Sequence, residues 1–371
     1  MTHLLQDVLR QPAELHRTLH SLVQPSSAVL QEAAKTIRSA REVFLTGVGA
    51  SWHAALCVQP LFAASGQRVY MQEAPELLHT GSFSPTSVVV LLSRSGKSVE
   101  VLSLLSKARE SGATVIGITC SADGPLARDA KIPIVLGTKR DHAISVNTYS
   151  SLAAAAGALA SCTGPGFDSR LVSALLSSVD HVARLLPEWQ QQVENSRWPD
   201  IHAATYFLGR GCSFGTCHEA RLLWEEGAKT PATAMGTGAF RHGPQEIVTA
   251  ETQFGVWIDG NCMREQDLAV ARDLEQLGAK VMLAGQRLPK SHGALRFELP
   301  DIPAEWQFLI DVIPAQLCAE RLARRKGVDC DSFRICSYIV EGEYGLLTPR
   351  RQVRRPKGSR RTTSSIEGRM Q

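Results

Sequence analysis

The stretch Ser93-Arg94-Ser95-Gly96-Lys97-Ser98 packs three hydroxyls, one glycine and two basic side chains into six residues. It lies between the apolar run 88–92 and a helical pattern that begins near Val99. Hydroxyls, a glycine that lets backbone approach, and the free N–H groups of a helix start together make an anion cradle. Lys97 or Arg94 can add charge to it. The plainer alternative is a Ser-rich turn in which Ser98 caps the helix. A nucleotide P-loop is excluded, because Gly-x-x-x-x-Gly-Lys-Ser is absent.

Carboxylates supply the second candidate chemistry. Glu219, Glu225 and Glu226 fall on one helical pattern, with Leu222, Leu223 and Trp224 as apolar neighbours that can raise a carboxyl pKa. A carboxylate tuned toward neutrality suits proton abstraction next to a carbonyl, the step that aldose–ketose isomerisation needs. His242 stands between a glycine-rich run and Gly243-Pro244, which places it on a turn. Taken singly, each acid also reads as a solvated helix face, and the histidine as a turn residue. Ser51, after Gly47-Val48-Gly49, fits a polar contact to a small ligand. Ser145 opens an Ala-rich helix, where it or Asn147 serves as the cap, or its hydroxyl contacts a sugar.

The elements that must position these groups occur twice. Val43-Phe44-Leu45-Thr46-Gly47-Val48-Gly49-Ala50-Ser51 reappears, one residue shorter, as Tyr206-Phe207-Leu208-Gly209-Arg210-Gly211-Cys212-Ser213. Each copy runs from a β-type segment through a Gly-x-Gly turn into a helical pattern. A second strand follows at 88–92 and 254–258, then a helix, a Gly-Ala pair and a third strand at 114–119 and 280–283. Alternating strands and helices predict an α/β fold of two doubly wound parallel sheets in tandem. The expected divisions are a helical arm at 1–30, domains at 31–165 and 196–345, a helical linker at 166–195 and a tail at 346–371. Ligands of such sheets sit at the carboxyl ends of strands, here the loops after Leu45, Leu92 and Leu208. Only the first copy has serines in its second loop; 259–265 has none, so only the first copy keeps a phosphate. Neither Gly-x-Gly turn reaches a third glycine, since Trp52 and Phe214 stand there, and this argues against a nicotinamide dinucleotide site.

Bulk properties narrow the classes further. A chain of 371 residues exceeds what one core usually carries, and its 44% hydrophobic and 20% charged residues are ordinary for a globular protein. The net charge of +4 hints at nucleic acid only until it is located. Residues 350–371 hold eight basic residues against Glu367, which leaves residues 1–349 three charges negative. That tail is Ser/Thr-rich and expected to be disordered, and its Ile366-Glu367-Gly368-Arg369 spells a cleavage sequence used in engineered fusions. No nucleic-acid or membrane partner is therefore expected. The apolar runs are short, and residues 1–17 lack a signal-type apolar region. Nine cysteines without a CxxC pair read as reduced thiols in a cytoplasmic protein, and no metal or redox cofactor is implied.

These residues resemble those of sugar-isomerase-domain (SIS) proteins, the family that includes the isomerase half of glucosamine-6-phosphate synthase and stand-alone deaminase-like relatives. The resemblance covers residues 30–345. It rests on Gly47-Val48-Gly49-Ala50-Ser51-Trp52-His53-Ala54, the 93–98 loop, Leu208-Gly209-Arg210-Gly211, Glu226 and Arg241-His242-Gly243-Pro244. It implies a hexose 6-phosphate ligand, with Ser93, Arg94 through its backbone, Ser95 and Ser98 as the phosphate cradle and Ser51 and Ser145 on the sugar chain. Glu226 matches the base that moves a proton between C1 and C2. His242 matches the ring-opening histidine, which in relatives reaches across from a neighbouring subunit, so a homodimer with shared sites is implied. Three departures speak against an ammonia-adding synthase: the chain has no glutaminase domain and has Thr at position 2, Tyr338 stands where an imine-forming lysine is expected, and Leu223 replaces another lysine. The implied activity is isomerisation and deamination of glucosamine 6-phosphate to fructose 6-phosphate and ammonia. A ketosamine 6-phosphate deglycase and a non-catalytic sugar-phosphate sensor are the alternatives.

Overall fold

In the computed structural model, which describes residues 1–23, 27–164, 166–290, 293, 295–342 and 345–346, two five-stranded parallel sheets share one hydrophobic core. Two helices come first, α1 (His3–Val23) and α2 (Ser27–Ser39). The first sheet is built from β1 (Glu42–Thr46), α3 (Ala50–Ala64), β2 (Tyr70–Met71), α4 (Ala74–Thr80), β3 (Ser87–Ser93), α5 (Val99–Glu110), β4 (Thr114–Thr119), α6 (Pro125–Asp129) and β5 (Ile132–Val135). Then come α7 (Asn147–Thr163) and α8 (Ser169–Asn195). The second sheet is built from β6 (Ala204–Gly209), α9 (Ser213–Glu226), β7 (Ala232–Gly236), α10 (Thr237–Phe240), β8 (Thr252–Trp257), α11 (Arg264–Gln276), β9 (Lys280–Gly285) and β10 (Leu295–Glu298), closed by α12 (Ile313–Lys326). Beyond Leu346 the expected basic tail lies outside the described residues.

The strand orders are β2-β1-β3-β4-β5 and β7-β6-β8-β9-β10, so the two sheets repeat one connectivity. In each, the order reverses beside the first strand, which opens a crevice at the carboxyl edge. The repeat extends to the backbone: Gly49 and Gly211 both take φ of 55°, a left-handed conformation that explains the second glycine of each Gly-x-Gly turn. β3 is buried along its whole length. Val88, Val90 and Leu92 pack into the core shared by both sheets, while Val89 and Leu91 pack with α4 and α5 residues on the other face. A strand covered on both faces must read as one apolar run, which is why 88–92 is legible in the sequence.

Helix α7 is buried on nearly every side and packs against α1, α2 and α3. Its run of alanines lets those neighbours approach closely, and a helix apolar all round belongs inside. α3 also packs against α9 of the second half. This contact places the end of α9 beside the rim of the first sheet. Among the described residues, no helix is long and apolar enough to cross a membrane.

Candidate active site

β1 and β3 lie side by side, so the loops that follow them open on one rim. Ser51 in the first turn of α3, Ser93 at the end of β3, Ser95 and Ser98 beyond it, and Ser145 before α7 all line one cavity of about 170 Å³. Arg94 lines it as well, and Glu226, the last residue of α9, reaches it from the second half of the chain. His242 does not. It is exposed on the turn after α10 and lines no part of this cavity in its own chain.

Local bonding shapes the loop after β3. The Ser93 hydroxyl accepts a hydrogen bond from the Gly96 N–H at 3.0 Å, and the Ser95 hydroxyl accepts from the Lys97 N–H at 3.2 Å. Each hydroxyl thereby spends a lone pair on the loop and keeps its own proton for a ligand. Gly96 takes φ of 64°, and a Cβ there would meet Leu126 Cβ at 2.8 Å, so the loop requires glycine. Ser98 precedes α5 but makes no side-chain capping bond, leaving its hydroxyl uncommitted. Lys97 lines a neighbouring cavity and not this one.

Ser145 and Asn147 do not cap α7 either. Asp141 does, accepting from the backbone N–H groups of Val146, Asn147 and Thr148 at 2.9–3.1 Å and from the Thr148 hydroxyl at 2.6 Å. This buried carboxylate was not legible in the sequence, since it acts from several residues before the helix. It frees Ser145, whose hydroxyl accepts from the Arg94 guanidinium at 2.8 Å. Arg94 also donates to the carbonyls of Ala143 and Tyr338, each at 3.2 Å. Its side chain thus ties the loop after β3 to two others.

Glu226 is half-buried, and burial pushes its carboxyl up to about 7; Glu219 adds to the rise, while Arg94 and Lys229 oppose it. A group poised there can take and return a proton near neutral pH. Glu225 instead pairs with Arg221 at 2.8 Å and does not line the cavity. Glu219 is fully buried, with Oε2 2.7 Å from His53 Nδ1. Burial raises Glu219 to about 8 and lowers His53 to about 3, so the pair is a neutral hydrogen bond between α3 and α9. Leu223 points into the core; Leu222 is the one that lines the cavity. Lys229 donates to the carbonyls of Glu226 and Ser332 from outside the cavity.

A segment that sequence reasoning missed closes the cavity. Phe333 and residues 336–340 line it, and the Val340 carbonyl accepts from the Val99 N–H at 3.0 Å. This strap has no helical or strand period, so no pattern announces it. Tyr338 does not act there as a free side chain: the Arg94 and Arg140 guanidinium carbons lie 4.0 and 4.2 Å from its ring centre. Its hydroxyl accepts from Arg140 Nε at 3.1 Å. Cys336, also unforeseen, is the strap residue that lies within the electrostatic reach of Glu226. At the matching rim of the second sheet, the loop after β8 is acidic: Asp267 pairs with Arg210 at 2.7 Å and accepts from the Asp259 N–H.

Residues 36–161 match the SIS domain family. The chain's curated relatives include glutamine–fructose-6-phosphate aminotransferases. That of Arabidopsis thaliana is 25% identical over 319 residues, covering 82% of this chain and 47% of the relative. That of Pyrobaculum aerophilum is 26% identical over 358 residues, covering 92% and 57%. The chain thus spans about half the length of the curated relatives it matches. Among solved structures, a Thermotoga maritima glucosamine-6-phosphate deaminase superposes with a TM-score of 0.76 at 22% identity, over 91% of this chain and 99% of that one. An Escherichia coli tagatose-6-phosphate ketose/aldose isomerase gives 0.76 at 19% identity, over 89% and 94%. At these identities the structural likeness concerns the fold.

Proposed function

We propose that the chain is a hexose 6-phosphate isomerase and deaminase, taking glucosamine 6-phosphate and water to fructose 6-phosphate and ammonia. One observation carries this reading: six serines gather around a cavity that a carboxyl poised near 7 enters from the other half of the chain. Both halves then act as doubly wound SIS domains. The first holds the phosphate through the hydroxyls and N–H groups of residues 93–98 and the sugar chain through Ser51 and Ser145. The second supplies the base. Glu226 removes the C2 proton of the open-chain sugar and returns it to C1; the C2 amine becomes an imine, which water hydrolyses to the ketone and ammonia. His242, exposed in its own chain, opens the ring in the site of a second copy, which makes the working form a homodimer. No lysine lines the cavity among the described residues, which favours release of ammonia over its capture through an enzyme imine.

The test is ammonia release from glucosamine 6-phosphate by the purified protein. Release by wild type and not by Glu226→Gln supports the reading and its base; equal release by both discards Glu226. A second reading has its own support. An open groove of about 510 Å³ adjoins the cavity, shares Leu222, Glu226, Phe333 and Cys336 with it, and has room for a larger leaving amine. Amine release from a ketosamine 6-phosphate, with none from glucosamine 6-phosphate, would make the chain a deglycase.

A further inference from the structure

We propose that a second cavity, reached past Tyr338, is an anion site that takes a phosphate or phosphoester group beside the sugar phosphate. This cavity of about 160 Å³ lies over the carboxyl ends of β3, β4 and β5 and shares Arg94, Ser95, Tyr338 and Ile339 with the first. Arg94, Lys97 and Arg140 bring three positive charges to its wall, and no carboxylate lines it. Among the described residues none of these three pairs with an acid. Arg140 uses Nε on the Tyr338 hydroxyl and keeps its two terminal nitrogens for a ligand. Asp141, whose charge reaches Cys120 in the wall, is already taken up by the start of α7 and by Arg10.

Hydroxyls complete the wall. Ser121 follows β4, and Thr138 follows β5. The Thr138 hydroxyl is buried and makes no hydrogen bond of normal geometry, though the Cys120 thiol is near enough to feel it. Such a group is costly to bury unless something else supplies an acceptor. Cations without acidic partners, loop hydroxyls and one orphaned buried donor around a small cavity suit a compact, multiply charged oxyanion. Tyr338 lines both cavities and its hydroxyl accepts from Arg140, so an anion in the second would hold Arg140 and the strap over the first. Only the identity of the first cavity's occupant is borrowed here from the proposed function.

The experiment is calorimetric titration of the full chain with inorganic phosphate, alone and with saturating fructose 6-phosphate. Saturable phosphate binding should persist with fructose 6-phosphate present and weaken by about tenfold in Arg140→Gln and in Lys97→Gln. The lysine variant matters because, among the described residues, the ring contacts and hydroxyl bond of Tyr338 come from Arg94 and Arg140 and not from Lys97, so it tests the charge without removing what holds the strap. If fructose 1,6-bisphosphate blocks the phosphate titration, the second anion belongs to the substrate; if phosphate still binds, it is a free effector. Phosphate binding lost to fructose 6-phosphate, or unchanged in both variants, overturns the proposal. Arg140-dependent phosphate binding in a chain that ignores fructose 6-phosphate would instead sink the proposed function and leave this site standing.

Discussion

Glu226 shows how position tunes one residue. Burial dominates its shift to about 7, with Arg94 and Lys229 pulling against it. As a base it works in the charged form, so kcat should rise through neutral pH with a midpoint near 7, where an unperturbed glutamate would give a limb near 4.3. A flat profile from pH 6 to 8 would rule it out. At the other end of the cavity, Ser98→Ala removes a hydroxyl that caps nothing, so folding should hardly change. Affinity for fructose 6-phosphate should fall by about 1–3 kcal/mol if that hydroxyl meets the phosphate. Unchanged affinity would return Ser98 to the role of a turn residue. Types and spacing made these serines and Glu226 candidates from the sequence alone. Asp141 stayed hidden because its importance is purely spatial: nothing in Arg140-Asp141-His142 marks a carboxylate that will accept from three successive backbone N–H groups.

At the scale of elements, the strands that read clearly are those buried on both faces. β1, β3, β4, β6, β8 and β9 are interior strands with apolar runs; the edge strands β2, β5, β7 and β10 are each partly exposed, and β2 has only two residues. The contact that holds α3 to α9, and so carries Glu226 to the first sheet, is anchored by the neutral His53–Glu219 pair. Its two members respond oppositely to pH. Glu219 is raised from 4.5 to about 8, so its contribution is whole below pH 4.5 and fades as pH climbs through 8. His53 is lowered from 6.5 to about 3, so its contribution is whole above pH 6.5 and fades as pH falls toward 3. Between pH 6.5 and 8 only Glu219 of the two changes. In that window wild-type Tm should drop more steeply than that of Glu219→Gln, which cannot ionise. Parallel slopes would mean that Glu219 is already charged in the fold.

Across the whole molecule, the chain is arranged so that neither half makes the site alone. The internal repeat announced two sheets of one connectivity, and the family resemblance implied a phosphate cradle in the first and a base in the second. The strap was not announced, because what holds it is distant in sequence: the Asp331 carboxylate accepts from the backbone N–H groups of His3 and Leu4, each at 2.8 Å, at the start of α1. Strap and N-terminal helix therefore meet beside a rim to which each contributes indirectly. What the single chain leaves open is His242, exposed and outside the lining of the cavity that holds Glu226. If two copies exchange this histidine, each site takes its base from one copy and its ring-opening group from the other. Glu226→Gln and His242→Asn should each be inactive alone. Coexpressed, they form mixed dimers in which one site carries both lesions and the other carries neither. With random pairing, half the dimers are mixed and half their sites intact, so activity should recover to about a quarter of wild type. No recovery in a mixture shown to contain the mixed dimer would confine catalysis to one chain, and His242 would then have to be replaced as the ring-opening group.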